Sequence, residues 1–301
     1  MTRPGEAVVF DVQRFSIHDG PGIRTVVFFK GCSLSCVWCQ NPEAMRAAPE
    51  IAYSEARCLE GCAECLDACP EDAILSQRPS RVDFARCTAC GRCAQVCPTG
   101  ALRCVGRSLT APELLEELLR DRTFFETSGG GVTFSGGEPV LHAAFLQELL
   151  PLVRSEGLHA AIETGGAYAF ALLEPLLPHL DLVLFDVKLA RAERHARFTG
   201  RDDVEILDNL GRLVRAGVCV EVRMPVVPGF NTDEENVAAT ARRVAGLGLG
   251  RVTLLPYNHL WEAKLPTLGT QRRPLGVRPP DDAFYRRLQA DFARHGLDAR
   301  I

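Results

Sequence analysis

Twelve of the thirteen cysteines in this 301-residue chain fall between Cys32 and Cys104, at the short regular spacings of metal ligands. Cys32, Cys36 and Cys39 form C-x-x-x-C-x-x-C, flanked by Lys30, Gly31 and Trp38. Structural zinc sites take four ligands, whereas a four-iron cluster held by three thiolates keeps one iron open to a cofactor or substrate. Three close thiolates therefore describe a site for chemistry rather than a staple. A zinc ion completed by a distant ligand is the alternative on these three residues alone.

Cys87, Cys90, Cys93 and Cys97, followed by Pro98, repeat the bacterial ferredoxin run C-x-x-C-x-x-C-x-x-x-C-P. Cys58, Cys62, Cys65 and Cys69, followed by Pro70, match it with one extra residue between the first two cysteines. In two-cluster ferredoxins the fourth cysteine of each run ligates the other cluster. The expected sets are thus Cys58, Cys62, Cys65 and Cys97 for one cluster, and Cys87, Cys90, Cys93 and Cys69 for the other. Two zinc sites are the alternative. Cys219, alone in an apolar stretch, reads as a small buried hydrophobe, and Cys104 as a structural residue.

The elements that must position these residues are mostly βα units. Strands are expected over 25–29, 132–134, 159–163, 182–185, 218–223 and 252–255, with helices over 110–120, 141–154, 170–177, 205–216, 234–246 and 281–295. The first of these helices opens on a Thr110-to-Glu113 capping box and presents Leu114, Leu115, Leu118 and Leu119 as its buried stripe. Strands alternating with helices imply an α/β fold, here six parallel strands curled into a partial (β/α)6 barrel resembling a TIM barrel. The cysteine-dense segment lacks that period and reads as an insertion. The expected division is 1–52 and 105–301 for the barrel and 53–104 for a two-cluster ferredoxin-like module too small to fold without its metals.

Function in such a barrel belongs at the carboxyl ends of the strands. There the sequence places Gly136, Gly137 and Glu138, two glycines that admit a close ligand and a carboxylate for an ammonium group. Glu163 and Thr164 end the next strand, Asp186 and Lys188 the one after, and Arg223 the fifth, where a bidentate contact to a carboxylate or hydroxyl is within its chemistry. The sixth strand ends in Pro256-Tyr257-Asn258-His259. Solvated rim charges and a plain glycine turn are the ordinary alternatives.

Composition supports a globular protein with ample core, at 47% apolar residues, and a net charge of −4 spread without basic patches argues against nucleic acid or an anionic membrane as partner. Residues 1–6 lack the pattern of a signal peptide, and no run approaches the length of a spanning helix. A cytoplasmic setting, where thiols stay reduced, is expected.

The run Ser16-Ile17-His18-Asp19-Gly20-Pro21-Gly22-Ile23-Arg24-Thr25, leading into the Cys32–Cys39 motif and Gln40-Asn41-Pro42-Glu43, resembles the opening of the glycyl-radical-enzyme activating enzymes, a radical S-adenosylmethionine (SAM) family. The resemblance extends in family order to Gly269. It implies a 4Fe–4S cluster on Cys32, Cys36 and Cys39 whose open iron chelates SAM, with Trp38 beside the adenine, Gly137 and Glu138 at the amino group, and Lys188 and Arg223 as further SAM contacts. Glu163, Thr164 and Asp186 are implied ligands of a monovalent cation. The family pattern has His directly after Pro-Tyr, so either Asn258 takes that role here or a local shift lets His259 serve.

With the insert pair read from its cysteine runs, three 4Fe–4S clusters are expected, the insert pair either relaying electrons from a flavodoxin or ferredoxin or serving structure alone. Reductive cleavage of SAM would give a 5′-deoxyadenosyl radical that abstracts hydrogen from a glycine of a partner glycyl radical enzyme, with the activator itself a monomer. A radical SAM enzyme acting on another peptide or a small molecule, and a non-catalytic iron–sulfur electron carrier, are the competing readings.

Overall fold

A computed structural model describes residues 5–76 and 81–301; residues 1–4, part of the segment read for a leader, and 77–80, inside the insert, lie outside it. The strands in chain order are β1 (Glu6–Ser16), β2 (Arg24–Phe29), β3 (Glu50–Tyr53), β4 (Leu102–Val105), β5 (Arg107–Thr110), β6 (Gly131–Gly136), β7 (His159–Thr164), β8 (Leu182–Asp186), β9 (Val220–Pro225), β10 (Arg251–Leu255) and β11 (Asp298–Arg300). Nine of them form one sheet in the order β11-β10-β9-β8-β7-β6-β2-β1-β5. The six strands expected from the sequence are β2 and β6 to β10, and they run parallel to one another. β5 and β11 stand at opposite ends of that order, so the barrel is partial.

Parallel strands covered on both faces need continuous apolar runs, and β6 and β8 are buried along nearly their whole length. Capped helices cover the outer face. The Glu113 carboxylate accepts from both the backbone N–H and the hydroxyl of Thr110, starting the helix Ala111–Leu119, whose Leu114 and Leu118 are fully buried and whose Leu115 and Leu119 pack at its margin. Asp233 and Asp281 cap Glu234–Gly246 and Asp282–Arg294 by accepting from Asn236 and Phe284 N–H at 3.0 and 2.8 Å. Two expected helices are divided. Pro175 and Pro178 stop the α-helix at Leu173 and leave a 3₁₀ turn over Glu174–His179, and a 3₁₀ turn over Pro139–His142 precedes the helix Ala143–Ser155.

Cys219 corrects an expectation: it is exposed. The strand begins one residue later, at Val220, so Cys219 sits at the entrance to β9 and serves the sheet only through its carbonyl, which accepts from Val183 N–H at 2.9 Å. Cys104 is likewise exposed, on the outward face of β4.

The cysteine-rich segment hangs from a two-stranded antiparallel stem, β3 with β4, in which Ile51 pairs with Cys104. Its own small core joins Ile51, Tyr53, Ile74, Val82, Ala101 and Leu102 with Cys65 and Cys93. The ring of Phe84 presses on Gly269, where a Cβ would meet Phe84 Cδ1 at 2.5 Å, so this contact with the segment after β10 requires glycine. Among the described residues no helix is long and apolar enough to cross a membrane.

Candidate active site

The Cys32–Cys39 loop leaves the carboxyl end of β2 and is pinned from several sides. Gly31, Ser35 and Val37 N–H donate to the carbonyls of Ala44, Thr199 and Phe198 at 2.6, 2.7 and 2.9 Å. From the opposite direction Arg272 donates to the Cys36 and Ser35 carbonyls at 2.6 and 2.7 Å. Trp38 is buried against Phe198 and Phe230. Burial pushes the Cys32 thiol up to about 12 and Cys36 to about 11, and raises Cys39 as well. A catalytic nucleophile needs the reverse shift, whereas a metal displaces these protons on binding. The chemistry of this donor set therefore fits an iron–sulfur cluster. Among the described residues no three His, Cys, Asp or Glu side chains converge as a single metal ion requires.

The three cysteines line one wall of a cavity of about 310 Å³, with Glu138, Asp186 and Lys188 on its other walls. The Gly136-Gly137 turn lies against the cysteine loop: Gly137 and Glu138 N–H donate to the Phe29 and Gly31 carbonyls at 2.9 and 2.8 Å. A Cβ on Gly137 would come within 2.1 Å of the Gly31 oxygen, so only glycine fits. The Glu138 carboxylate is buried and accepts from Thr164 Oγ1 at 2.9 Å, Gly165 N–H at 3.0 Å and Val140 N–H at 3.2 Å. Burial nonetheless pushes its carboxyl up to about 7. Such a carboxylate at a cavity wall fits an ammonium ligand, whose charge would offset the burial.

Adjacent residues on a strand point to opposite faces, and this separates Glu163 from Thr164. Thr164 turns to Glu138, while Glu163 accepts from the Ser135 hydroxyl and lies 3.4 Å from Arg223. Burial and the neighbouring Asp186 push the Glu163 carboxyl up. Asp186 Oδ2 pairs with Lys188 Nζ at 2.6 Å, while Asp186 Oδ1 is buried without a partner among the described residues. Burial works against the Lys188 charge, but Asp186 beside it holds the ammonium above its ordinary value.

Cys32, Cys36, Cys39, Trp38, Gly137, Glu138, Glu163, Thr164, Asp186, Lys188 and Asn258 all border the one cavity. Arg223 and His259 do not border it. The Arg223 guanidinium is shared among Glu221 at 3.1 Å, Glu163 at 3.4 Å, Asp19 at 3.9 Å and the His18 carbonyl at 2.8 Å. Sequence reasoning passed over Arg272, which lies in Gln-Arg-Arg-Pro far from any cysteine and carries no local signal, and Lys264, which reaches Glu43 at 2.7 Å and the Gln40 carbonyl at 3.0 Å.

In the insert, Cys58, Cys62, Cys65 and Cys97 border a second, smaller cavity. Cys69, Cys87, Cys90 and Cys93 group apart from it: after burial, the nearby Cys87, Cys69 and Cys90 thiols push the Cys93 thiol up to about 11. Each group draws its fourth cysteine from the other run.

Fold comparison finds a radical SAM methyltransferase from Sphaerobacter thermophilus, with a TM-score of 0.55 at 14% identity over 97% of this chain and 76% of that one. SuiB from Streptococcus suis follows, at 0.53 and 12% over 91% and 47%. These likenesses show a shared fold. Residues 18–205 match the family model described as a 4Fe–4S single cluster domain. The isethionate sulfite-lyase activating enzyme of Oleidesulfovibrio alaskensis is 40% identical over 97% of this chain and 96% of its own length. The pyruvate formate-lyase 2-activating enzyme of Escherichia coli is 36% identical over 99% and 94%. The chain belongs to the radical SAM activating enzymes of glycyl radical enzymes. It is an oxidoreductase that uses a 4Fe–4S cluster and SAM.

Proposed function

We propose that the chain carries three 4Fe–4S clusters, one on Cys32, Cys36 and Cys39 and two in the insert, and that SAM occupies the cavity between the first cluster and the ends of β6 to β8. The observation that carries this reading is that the three cysteines of the Cys32–Cys39 loop and the buried carboxylate of Glu138 line one cavity. Gly137 and Glu138 take the SAM amino group, and Lys188, held charged by Asp186, takes an anionic or hydroxyl group of SAM. Trp38 shields the cluster from water beside the adenine. Asn258, on the cavity wall, serves at the end of β10 in preference to His259.

Arg223 acts on the cofactor through Glu163, since its guanidinium is already shared by three carboxylates. A monovalent cation beside Glu163 and Asp186 would use the free Asp186 Oδ1, and Thr164 joins that set only by releasing Glu138. When bound, the reduced cluster supplies one electron to the sulfonium, giving methionine and the 5′-deoxyadenosyl radical that takes hydrogen from the partner's glycine. The two crossed cysteine sets would hold the insert clusters, which would relay electrons from flavodoxin or ferredoxin. The protein acts as a monomer in the cytoplasm, where reducing conditions keep cysteines available as cluster ligands.

Isethionate sulfite-lyase, named in relatives 40% identical to this chain, is the first partner to test. Anaerobically reconstituted protein should hold about twelve iron atoms, four for each cluster. With SAM, a strong reductant and that partner it should yield 5′-deoxyadenosine and a glycyl radical signal in electron paramagnetic resonance (EPR). Iron for three clusters without 5′-deoxyadenosine would refute the cavity assignment, and activity unchanged in Cys36→Ala would favour a mere electron carrier.

A further inference from the structure

We propose that Arg81 sets the two insert clusters at unequal reduction potentials, making the one on Cys58, Cys62, Cys65 and Cys97 the easier to reduce. The inference rests on the reading that the insert holds two 4Fe–4S clusters on crossed ligand sets. Arg81 is 5% exposed and borders the cavity those four cysteines line. Its Nη2 donates to the Cys62 carbonyl at 2.8 Å and lies 3.5 Å from Cys65 Sγ, while its Nε is buried with no partner among the described residues. The backbone on either side is fixed, with Leu75 N–H donating to the Arg81 carbonyl at 2.8 Å and Val82 bridging to Ile74.

Backbone donors do not favour the Cys58 set, which receives one against two at the other set. Cys69 and Cys87 receive Ala73 and Ala89 N–H at 3.3 and 3.4 Å, and Cys97 receives Leu102 N–H at 3.4 Å. The guanidinium is the difference, since among the described residues no Lys or Arg donates to Cys69, Cys87, Cys90 or Cys93. An external low-potential donor loses one electron, and the cluster that gains it becomes one unit more negative. A fixed cation beside the sulfurs stabilises that state, because hydrogen bonding and net charge set cluster potentials. Glu64 also borders the cavity, but it is exposed, and water screens its charge far more than that of the buried Arg81.

The test is an EPR-monitored redox titration of the full-length, reconstituted protein after its iron and sulfide have been counted. The wild type should show two insert signals reducing at separate potentials. Arg81→Gln, which keeps hydrogen-bond donors and loses the charge, should weaken reduction of one insert cluster by about tenfold, or ~59 mV for one electron. The other should stay in place, and Arg81→Lys should restore most of the loss. Coincident insert potentials in the wild type overturn the inference, even if Arg81→Gln cannot hold its cluster. So do unmoved or equally moved potentials in variants of full iron content. Iron for fewer than three clusters in the wild type defeats the underlying reading instead, and shows before any potential is measured.

Discussion

Lys30 and Glu50 form a buried ion pair, Nζ to Oε1 at 2.8 Å, with the lysine side chain wholly sealed from solvent and the glutamate 9% exposed. Lys30 follows β2 directly and precedes the Cys32 loop, while Glu50 opens β3, the first strand of the insert's stem. The pair therefore fastens the insert to the segment that positions the first cysteine cluster, and Lys30 also donates to the Glu43 carbonyl. Removing one member of a buried pair leaves an uncompensated charge, at a cost of about 3–5 kcal/mol, whereas replacing both with apolar residues is often neutral. Lys30→Met should thus lose about 3 kcal/mol in urea unfolding, and the double variant with Glu50→Leu should regain most of it. A single variant within ~1 kcal/mol of wild type would show that the pair contributes little.

His142 should make the protein acid-sensitive. Its ring stacks on Phe29 with centroids 5.0 Å apart, and its Nε2 lies 2.7 Å from the Lys30 carbonyl, which can only accept and so fixes the proton on Nε2. Burial holds its pKa below the ordinary 6.5. The unfolded chain takes up a proton near 6.5 and the folded chain resists it. The contribution to stability is therefore full above that pH and lost as pH falls through the lower folded value. Urea midpoints should drop between pH about 7.5 and 5.5, and His142→Phe should shrink the drop, leaving the shares of His159 and His195, which burial also lowers. An identical drop in the variant would exclude His142 as a cause.

What the sequence made legible was local. Apolar runs located the six parallel strands, and Thr110 marked a helix start because a cap is a contact between near neighbours. The strand-end residues followed from the fold class, so Glu138, Asp186 and Lys188 could be named before their contacts were known. β1 escaped because it pairs with β2 through two register irregularities, and Phe15 turns left-handed at φ 62°, which breaks the alternation that marks a strand. Arg272 and Lys264 escaped because their partners lie more than 220 residues away. Cys219 was misjudged from its apolar neighbours, since the strand starts at Val220, two residues later than expected, and leaves Cys219 outside it.

Gly137 should prove irreplaceable for cofactor binding rather than for holding iron. The Cβ of an alanine would press on the Gly31 carbonyl, a backbone atom that cannot swing away, so the turn must move and take Glu138 from its place beside Thr164. Gly137→Ala should weaken SAM binding by about tenfold or more, the equivalent of ~1.4 kcal/mol, with cluster iron retained. Gly246→Ala, where nothing lies within 4 Å of the added carbon, is the control and should bind normally. Calorimetric titration of both anaerobic proteins with SAM decides, and wild-type affinity in Gly137→Ala would remove this turn from the binding site.

The crossed ligation proposed for the insert makes a prediction that sequence distance alone would not. Cys58 and Cys97 are 39 positions apart and border the same cavity, whereas Cys93 and Cys97 are neighbours in one run and belong to different groups. Cys58→Ser and Cys97→Ser should therefore each abolish the same EPR signal, and Cys69→Ser and Cys93→Ser should each abolish the other. Because Cys65 and Cys93 share one small core with Ile51 and Leu102, loss of either cluster should also loosen the insert while the barrel stays folded. Limited proteolysis should then cut within 53–104 first. Were Cys93→Ser and Cys97→Ser to erase the same signal, each run would bind its own cluster and the exchange would be wrong.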